Sequence, residues 1–189
     1  MKFLRLLLST FSVLFLEQGF AAEPSAVIEG PIWADQPPSR NSIYSASALD
    51  LAAYGYTEEE FFIAGAGNVY SQPYLATGLV ESGGHPFKTR LIARRPPPQA
   101  FNGVVVVEWI NVTGGPDKDI DWWQSGEHLM RSGYAYVAVS AQQMGIDTMA
   151  DWGSARYCGL DMTDAGTVDN DALSFDAFSV VGRVIFRRG

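Results

Sequence analysis

The chain has 189 residues, of which 47% are hydrophobic and 18% are charged, and its formal net charge is −8. The length suits a single domain, and the composition is typical of a globular protein rather than a disordered one. An acidic domain lacks the basic surface that binds phosphate backbones, so nucleic acid is excluded as the expected partner.

Residues 1–21 have the pattern of a signal peptide. Lys2 and Arg5 form a positive n-region, residues 6–16 are an apolar run, and small residues precede a cleavage site after Ala21. The apolar run is marginal in length for spanning a bilayer, so a stable membrane anchor is the weaker alternative. We therefore expect a protein that is exported through its signal peptide, either to a periplasm or out of the cell.

Residues 22–48 are rich in Pro, Ser and Ala, and we interpret them as an entry segment that precedes the domain at residues 49–189. Prolines disfavour a long helix and a central strand. The entry segment is therefore expected to contain at most one short edge strand, near residues 27–32.

Two segments have the bulky and β-branched side chains of strands. Residues 61–70 and 87–95 are predicted to pair as the antiparallel opening of a sheet. A helix is the competing interpretation at the first of them, because Thr57 and Glu60 match a capping box. We favour a strand that begins near Glu60, because Phe, Phe and Ile follow it.

Residues 104–110 begin with four valines, and such a run is apolar on both faces, as in a central strand of a parallel sheet. A helical pattern follows, and Gly133 suits the left-handed position just past its end. A second buried strand is predicted at residues 134–140. The order strand, helix, strand predicts parallel pairing, so we expect an α/β fold with a mixed, mostly parallel sheet and helices on both faces. The apolar helical positions are Trp122, Gly126, Leu129 and Met130.

Residues 141–170 contain many Gly and Asp residues and show no clear periodicity, so they are predicted to form a long loop. A last helix is predicted after this loop, capped by Asn170 or Asp171. Its apolar stripe consists of Ala177, Phe178, Val181, Val184 and Ile185.

The segment after the valine run is the best candidate for a functional site. It contains Asn111, Gly114 and Gly115 and leaves the carboxyl end of a predicted strand, where ligands of open α/β sheets bind. Glycine lets a backbone approach a ligand closely, but a tight strand-to-helix turn needs glycine equally, so both interpretations stay open. Asn111 also begins a glycosylation sequon, which we attribute to chance because a glycan would obstruct the loop.

Other residues that often carry chemistry are better explained by structure. Ser140 ends a buried strand, but its flanking residues do not suit a sharp nucleophile turn. The single cysteine, Cys158, has no histidine near it in sequence and is expected to be a bystander thiol. His85 is expected in a turn, and His128 is expected to pack partly buried on a helix.

No metal and no cofactor are expected. The acidic run at residues 117–121 imitates a calcium loop, but Trp122 stands where that loop needs glycine and His128 where it needs glutamate. The two histidines lack the spacing of metal ligands. Trp122 and Trp123 are expected to pack in the core rather than to line a binding pocket.

Four segments together carry a resemblance to a known family: Tyr-Gly-Tyr-Thr-Glu-Glu-Glu-Phe-Phe-Ile-Ala-Gly at 54–65, Thr-Arg-Leu-Ile-Ala-Arg-Arg-Pro at 89–96, Val-Val-Glu-Trp-Ile-Asn-Val-Thr-Gly-Gly at 106–115 and Tyr-Val-Ala-Val-Ser-Ala-Gln at 136–142. In order and spacing they resemble the N-terminal portion of a largely uncharacterised family of exported α/β-hydrolases. The resemblance implies a serine hydrolase fold and a small-molecule acyl substrate. It also implies that the loop with Asn111, Gly114 and Gly115 supplies one backbone N–H of an oxyanion hole.

The chain departs from this family at the nucleophile. No Gly-x-Ser-x-Gly turn occurs in the 189 residues, and residues 184–189 stand where the strand that leads to that turn is expected. We therefore expect the first half of an α/β-hydrolase, with an exposed parallel sheet edge and no activity of its own unless a C-terminal half or a separate chain completes it. A non-enzymatic exported binding or interaction module is the alternative.

Overall fold

The computed structural model describes residues 25–169 and 171–188. The predicted signal peptide and its cleavage site after Ala21 lie outside the described residues. Within those residues, no helix is both long enough and apolar enough to cross a membrane.

The described chain forms one five-stranded sheet and four helices. The sheet order is β1-β2-β3-β5-β4. In chain order the elements are β1 (Ser25–Glu29), β2 (Thr57–Tyr70), β3 (Val80–Arg95), β4 (Val105–Trp109), α1 (Ile120–Arg131), β5 (Ala135–Val139), α2 (Gln143–Trp152), α3 (Ser154–Tyr157) and α4 (Ser174–Arg188), with short 3₁₀ turns at Ala52–Tyr54 and Pro98–Ala100.

The α/β class and the mixed sheet are confirmed, but the expected predominance of parallel pairing is wrong. Strands β1, β2, β3 and β5 pair antiparallel, and only β4 and β5 are parallel. Parallel neighbours need a crossover connection, and α1 is the one crossover between paired strands in the described part of the chain. The predicted edge strand in the entry segment is present as β1, beside β2.

The β2–β3 hairpin is longer than the sequence indicates, and it projects beyond the carboxyl end of β5. Leu91 pairs with Val139, so the residues that precede Leu91 in β3 lie past the end of β5. His85 is part of β3 and pairs with Gly67, so its expected place in a turn is wrong. Gly84 is instead the extra residue of a bulge, with φ +80°.

Strand β4 lies at an edge of the sheet, and its neighbour β5 is an interior strand that is buried along its whole length. The central position expected for the valine run is therefore wrong, although its two apolar faces are confirmed. Val106 packs on one side of the sheet, whereas Val105 and Val107 pack on the other. Apolar neighbours above and below do not require a strand on both flanks.

Helices cover both faces of the sheet, as predicted. Helix α1 buries the four apolar positions expected from the sequence against one face. Helix α4 packs on the opposite face through residues that include Val180 and Val181. The predicted apolar stripe of α4 is thus confirmed as its sheet-facing side. Asn170, one of the two caps predicted for this helix, lies outside the described residues.

The long loop predicted for residues 141–170 is wrong, because it contains α2 and α3. Ile146 and Met149 of α2 pack with Tyr157 of α3 in a hydrophobic core cluster that is separate from those beneath α1 and α4. The Asp171 carboxylate caps the start of α2, accepting from the Gln143 N–H at 2.9 Å. The capping residue lies 28 positions after Gln143 in sequence, so no local pattern indicates it.

Candidate functional site

The candidate site is the loop of residues 111–118, hereafter the β4 loop, at the carboxyl ends of the parallel strands β4 and β5. Two backbone hydrogen bonds join its ends, from Asn111 N–H to Lys118 O at 3.2 Å and from Lys118 N–H to Asn111 O at 2.9 Å. Inside the loop, Asn111 Oδ1 accepts from the Thr113 N–H at 2.8 Å, and Lys118 Nζ donates to Thr113 O at 2.7 Å. The β4 loop is therefore a closed turn held by its own polar groups.

Both glycines of the β4 loop have left-handed backbone, with φ +85° at Gly114 and +105° at Gly115. Residues with a Cβ rarely adopt such angles. The Gly115 N–H donates to Val112 O at 2.9 Å, whereas the N–H of the exposed Gly114 donates to no acceptor in the described chain. An exposed and uncommitted N–H at this end of a sheet is what an oxyanion donor requires.

Asp117 anchors the β4 loop from the protein interior. Its Oδ2 atom accepts from Arg90 Nη2 at 3.0 Å and from Ser140 Oγ at 2.5 Å, and all three side chains are buried. Its Oδ1 atom has no hydrogen-bond partner among the described residues and lies against Gly145 in the first turn of α2, where a Cβ would overlap it. The positive end of the α2 dipole offsets part of the cost of burying this carboxylate.

Ser140 belongs to this anchor and not to a nucleophile site. Its hydroxyl donates to Asp117 and accepts from Arg90 Nε at 2.9 Å. The residue is fully buried. The structural role predicted for Ser140 is thus confirmed.

Arg90 links the anchor to a second buried carboxylate. Its Nη1 atom lies 3.2 Å from Glu60 Oε1, and Arg156 Nε donates to Glu60 Oε2 at 2.7 Å. Burial alone would lower the pKa of Arg90, but the carboxylates of Asp117 and Glu60 raise it above its usual value. A permanently charged arginine therefore fixes two chain segments that are distant in sequence.

Arg94, four residues after Arg90 in β3, is likewise a buried arginine that pairs with one carboxylate from β2 and one from the segment before α1. It pairs with Glu58 at 2.6 Å and with Asp119, the residue that precedes α1. The acidic residues Asp117 and Asp119 of the run at 117–121 thus serve arginines rather than an ion. Sequence reasoning treated the run as a failed calcium loop and did not identify these arginine partners.

Glu108 in β4 ties the start of α1 to the sheet. Its carboxylate accepts from the Asp121 N–H at 3.2 Å and from the Tyr136 hydroxyl. Burial raises the pKa of Glu108 above its usual value, against the lowering effect of these bonds, and burial also raises the pKa of Tyr136. Glu108 therefore joins β4 both to the start of α1 and to β5.

The structure brings Asn111, Gly114 and Gly115 into one turn. Cys158 and His128 are both exposed, so the partial burial expected for His128 is wrong. His128 lies on the outer side of α1, and its ring is 6.2 Å from that of Tyr134.

A surface cavity of about 280 Å³ lies elsewhere, between the entry segment and β2. Its lining includes Pro31, Asp35, Glu58 and Glu60 and excludes the β4 loop. Two of these carboxylates are already paired with buried arginines. The lining is not aromatic. Trp122 is packed in the core as predicted, but Trp123 is 60% exposed on the outer side of α1, so its expected place in the core is wrong.

In the sequence, the glycine pair that follows the valine strand predicts the turn at residues 111–115, and the structure has a turn there. The anchor of Arg90, Asp117 and Ser140 was missed. Its members come from β3, the β4 loop and the end of β5, and no local spacing connects them.

Comparison with known proteins gives one finding. A protein-family model described as Alpha/beta hydrolase domain matches residues 28–189, a region that begins within β1 and includes the β4 loop. No curated protein and no solved structure matches the chain.

Proposed function

Because this chain belongs to the alpha/beta hydrolase domain family, we propose that it serves hydrolysis of carboxylic esters or similar acyl groups. In this proposal the β4 loop is the oxyanion side of the site and the Gly114 N–H is the donor. The observation that carries it is that this N–H is exposed and uncommitted, whereas the Gly115 N–H is used to close the turn. The substrate is a small acyl compound.

The nucleophile of this site is proposed to come from polypeptide outside the 189 residues, because no Gly-x-Ser-x-Gly turn occurs among them. Open hydrogen-bonding groups along the outer side of β4 support this, since they give a further strand a place to pair. Until such a strand joins, the site at the β4 loop does not turn over esters.

Export is also part of the proposal. The positive n-region, the short apolar run and the small residues up to Ala21 support a cleaved signal peptide and a periplasmic or secreted protein. N-terminal sequencing of the native protein is expected to begin at Ala22, the residue that follows the cleavage site.

The nucleophile is tested on native protein captured from its source with antibodies against the described residues. A fluorophosphonate probe is added, and the labelled serine is located by peptide mass spectrometry. Label on a Gly-x-Ser-x-Gly peptide outside the 189 residues is the expected result. The enzyme proposal is overturned if the captured protein contains no peptide from outside the 189 residues and carries no label on a Gly-x-Ser-x-Gly serine. The exported binding module then becomes the preferred function.

The β4 loop is tested in the same protein by Asn111→Ala, which removes the side-chain bond that shapes the turn. Loss of one oxyanion donor typically costs about 10²–10³ in rate, so kcat/KM for p-nitrophenyl esters should fall at least tenfold. Asn102→Ala is the matched control, because Asn102 Oδ1 bonds the Val104 N–H in the same way at the other end of β4. Equal losses in the two variants would show that the β4 loop has no special role.

A further inference from the structure

The β2–β3 hairpin and the loop before α4 bring together a second set of polar side chains. Ser82 Oγ lies 2.7 Å from His85 Nε2, and His85 Nδ1 lies 3.0 Å from Asp164 Oδ2. A nucleophile, a base and an orienting carboxylate in this order activate a serine, whatever their positions in the sequence. We propose that Ser82, His85 and Asp164 form a catalytic relay whose reactive serine accepts acyl groups from carboxylic esters.

The hydrogen bonds select the tautomer that the chemistry needs. An ionised carboxylate such as that of Asp164 only accepts, so His85 Nδ1 carries the proton of the neutral ring and donates it. His85 Nε2 is then a free acceptor, and the Ser82 hydroxyl donates to it. The serine proton therefore already points at the base that removes it.

The bulge at Gly84 places the serine and the histidine side by side. Gly67 pairs with His85 and Asn68 pairs with Gly83, so Gly84 has no partner on β2. The extra residue disrupts the alternation of side chains along β3 and lets Ser82 meet His85 three positions later. A regular strand would send these two side chains to opposite faces.

Hydrogen bonds shape the loop that carries Asp164 and attach it to the same strand. Lys88 of β3 and Asp161 exchange two backbone hydrogen bonds, of 2.7 and 2.8 Å. The Asp161 carboxylate accepts from the Thr163 N–H at 2.9 Å and from the Ala165 N–H at 2.7 Å. Asp164 itself has φ +50°, a conformation that a residue with a Cβ adopts only where its surroundings enforce it.

Exposure is graded along the relay in the way that a surface nucleophile requires. Ser82 is exposed, whereas the His85 and Asp164 side chains are 16% and 24% exposed. The glycines near the histidine and the aspartate, Gly84 and Gly166, both border open space, since a Cβ at either position would meet no atom within 4 Å. An ester can therefore reach the serine from solvent while the base and the acid stay largely shielded.

Apolar side chains next to Ser82 indicate the acyl group. Leu79 and Val80 precede it at the base of the hairpin tip and are exposed. Exposed apolar side chains beside the serine favour esters with an apolar acyl group over charged ones. The relay lies past the carboxyl end of β5.

The reaction that this geometry supports proceeds in two balanced steps. Ser82 Oγ attacks the ester carbonyl carbon, its proton passes to His85 Nε2, and the leaving alcohol takes that proton as its C–O bond breaks. Water then attacks the acyl-serine, gives its proton to His85 Nε2, and the proton returns to Ser82 Oγ as the acid leaves. The net change is ester plus water to acid plus alcohol, and no other reactant is needed.

The relay shares no residue with the β4 loop and does not rest on the proposed function. It is tested on the 189-residue chain expressed with its own N-terminal segment, with a fluorophosphonate probe and with p-nitrophenyl butyrate. Label is expected on Ser82, and Ser82→Ala should remove both the label and the hydrolysis. His85→Gln should slow labelling at least about 100-fold, and Asp164→Asn at least tenfold.

Matched controls separate the relay from general reactivity. Ser179→Ala removes an exposed hydroxyl that donates only to a backbone carbonyl, and His128→Gln removes the other histidine. Neither should change the rate. If His85→Gln unfolds the protein, Ser82→Cys supplies a second measurement, because its alkylation by iodoacetamide should be slowed by Asp164→Asn. Absence of label on folded protein, label that persists in Ser82→Ala, or equal rates with and without His85 overturns the proposal.

Discussion

At the residue scale, aspartates that accept several hydrogen bonds shape the loops of both candidate sites. Asp117 holds the β4 loop through Arg90 and Ser140, and Asp161 shapes the turn that presents Asp164. Burial alone would raise the pKa of Asp161, but hydrogen bonds from the Thr163 hydroxyl and from the Ala165 and Thr163 N–H groups lower it below its usual value. A carboxyl with a lowered pKa is a source of acid-dependent stability.

We expect Asp161→Asn to reduce the pH dependence of stability in acid. An Asp whose folded pKa is lowered stabilises the protein fully above its unfolded pKa of about 3.9 and loses that contribution as the pH falls through the folded value. Urea denaturation between pH 2 and 6 should therefore show the largest difference between wild type and variant above about pH 4, and convergence at the acid end. The measurement is the free energy of unfolding at each pH.

Thr163→Val is the matched control for this prediction. It removes the hydroxyl that donates to Asp161 and accepts from the Gly166 N–H, and it leaves the backbone N–H bonds to Asp161. It should reproduce part of the pH-dependent difference. A difference that stays constant across the acid range in Asp161→Asn would show that the hydrogen bonds do not favour the ionised carboxylate.

At the element scale, short helices are held by residues that lie far away in the chain. Helix α2 begins without a cap of its own, and the Asp171 carboxylate supplies one through the Gln143 N–H at 2.9 Å and the Gln142 side chain at 3.0 Å. The same helix places Gly145 against Asp117. The start of α2 thus depends on the segment before α4 and in turn supports the β4 loop.

Removal of this cap is expected to destabilise the protein without disturbing its core. Loss of an N-terminal capping carboxylate typically costs about 1 kcal/mol, so Asp171→Ala should lower the free energy of unfolding by about that amount. Asp147→Ala removes a carboxylate from the exposed side of the same helix and should cost only a few tenths of a kcal/mol. Equal effects in chemical denaturation would show that Asp171 is not a cap.

At the scale of the whole molecule, the sheet is asymmetric. Its β1 edge is a short antiparallel strand, whereas its β4 edge is apolar on both faces and joins the parallel half of the sheet. The backbone groups on the outer side of β4 have no strand partner among the described residues. Unpaired edges with apolar side chains tend to pair with other chains.

The isolated chain is therefore expected to self-associate through β4. Val104 directly precedes β4 and is 48% exposed, so Val104→Lys should raise the concentration at which dimers appear in analytical ultracentrifugation. Val27→Lys is the matched control on the opposite edge strand, where the side chain is 70% exposed. A chain that stays monomeric at high concentration, or an equal effect of the two lysines, contradicts this prediction.

Local patterns in the sequence predicted the features that depend on neighbours along the chain. The valine run, the helical spacing of α1 and the left-handed glycines predicted a strand, a helix and a turn, because each reflects periodicity or φ preference over a few residues. The α/β class and the turn at Asn111, Gly114 and Gly115 followed from these alone. The nucleophile at that turn was not expected among the 189 residues, and no Gly-x-Ser-x-Gly motif is present.

Three features depend on contacts between distant segments and emerged from the folded chain: which strands are interior, which carboxylates pair with arginines, and what His85 contacts. Strand order depends on burial contributed by distant elements, so the valine run was misplaced as the central strand. Ser82 and His85 are close because of an unpaired residue in a bulge, and Asp164 reaches His85 from 79 positions away. Hydrogen bonds between side chains depend on distances of a few ångströms in space, and sequence separation carries almost no information about such distances.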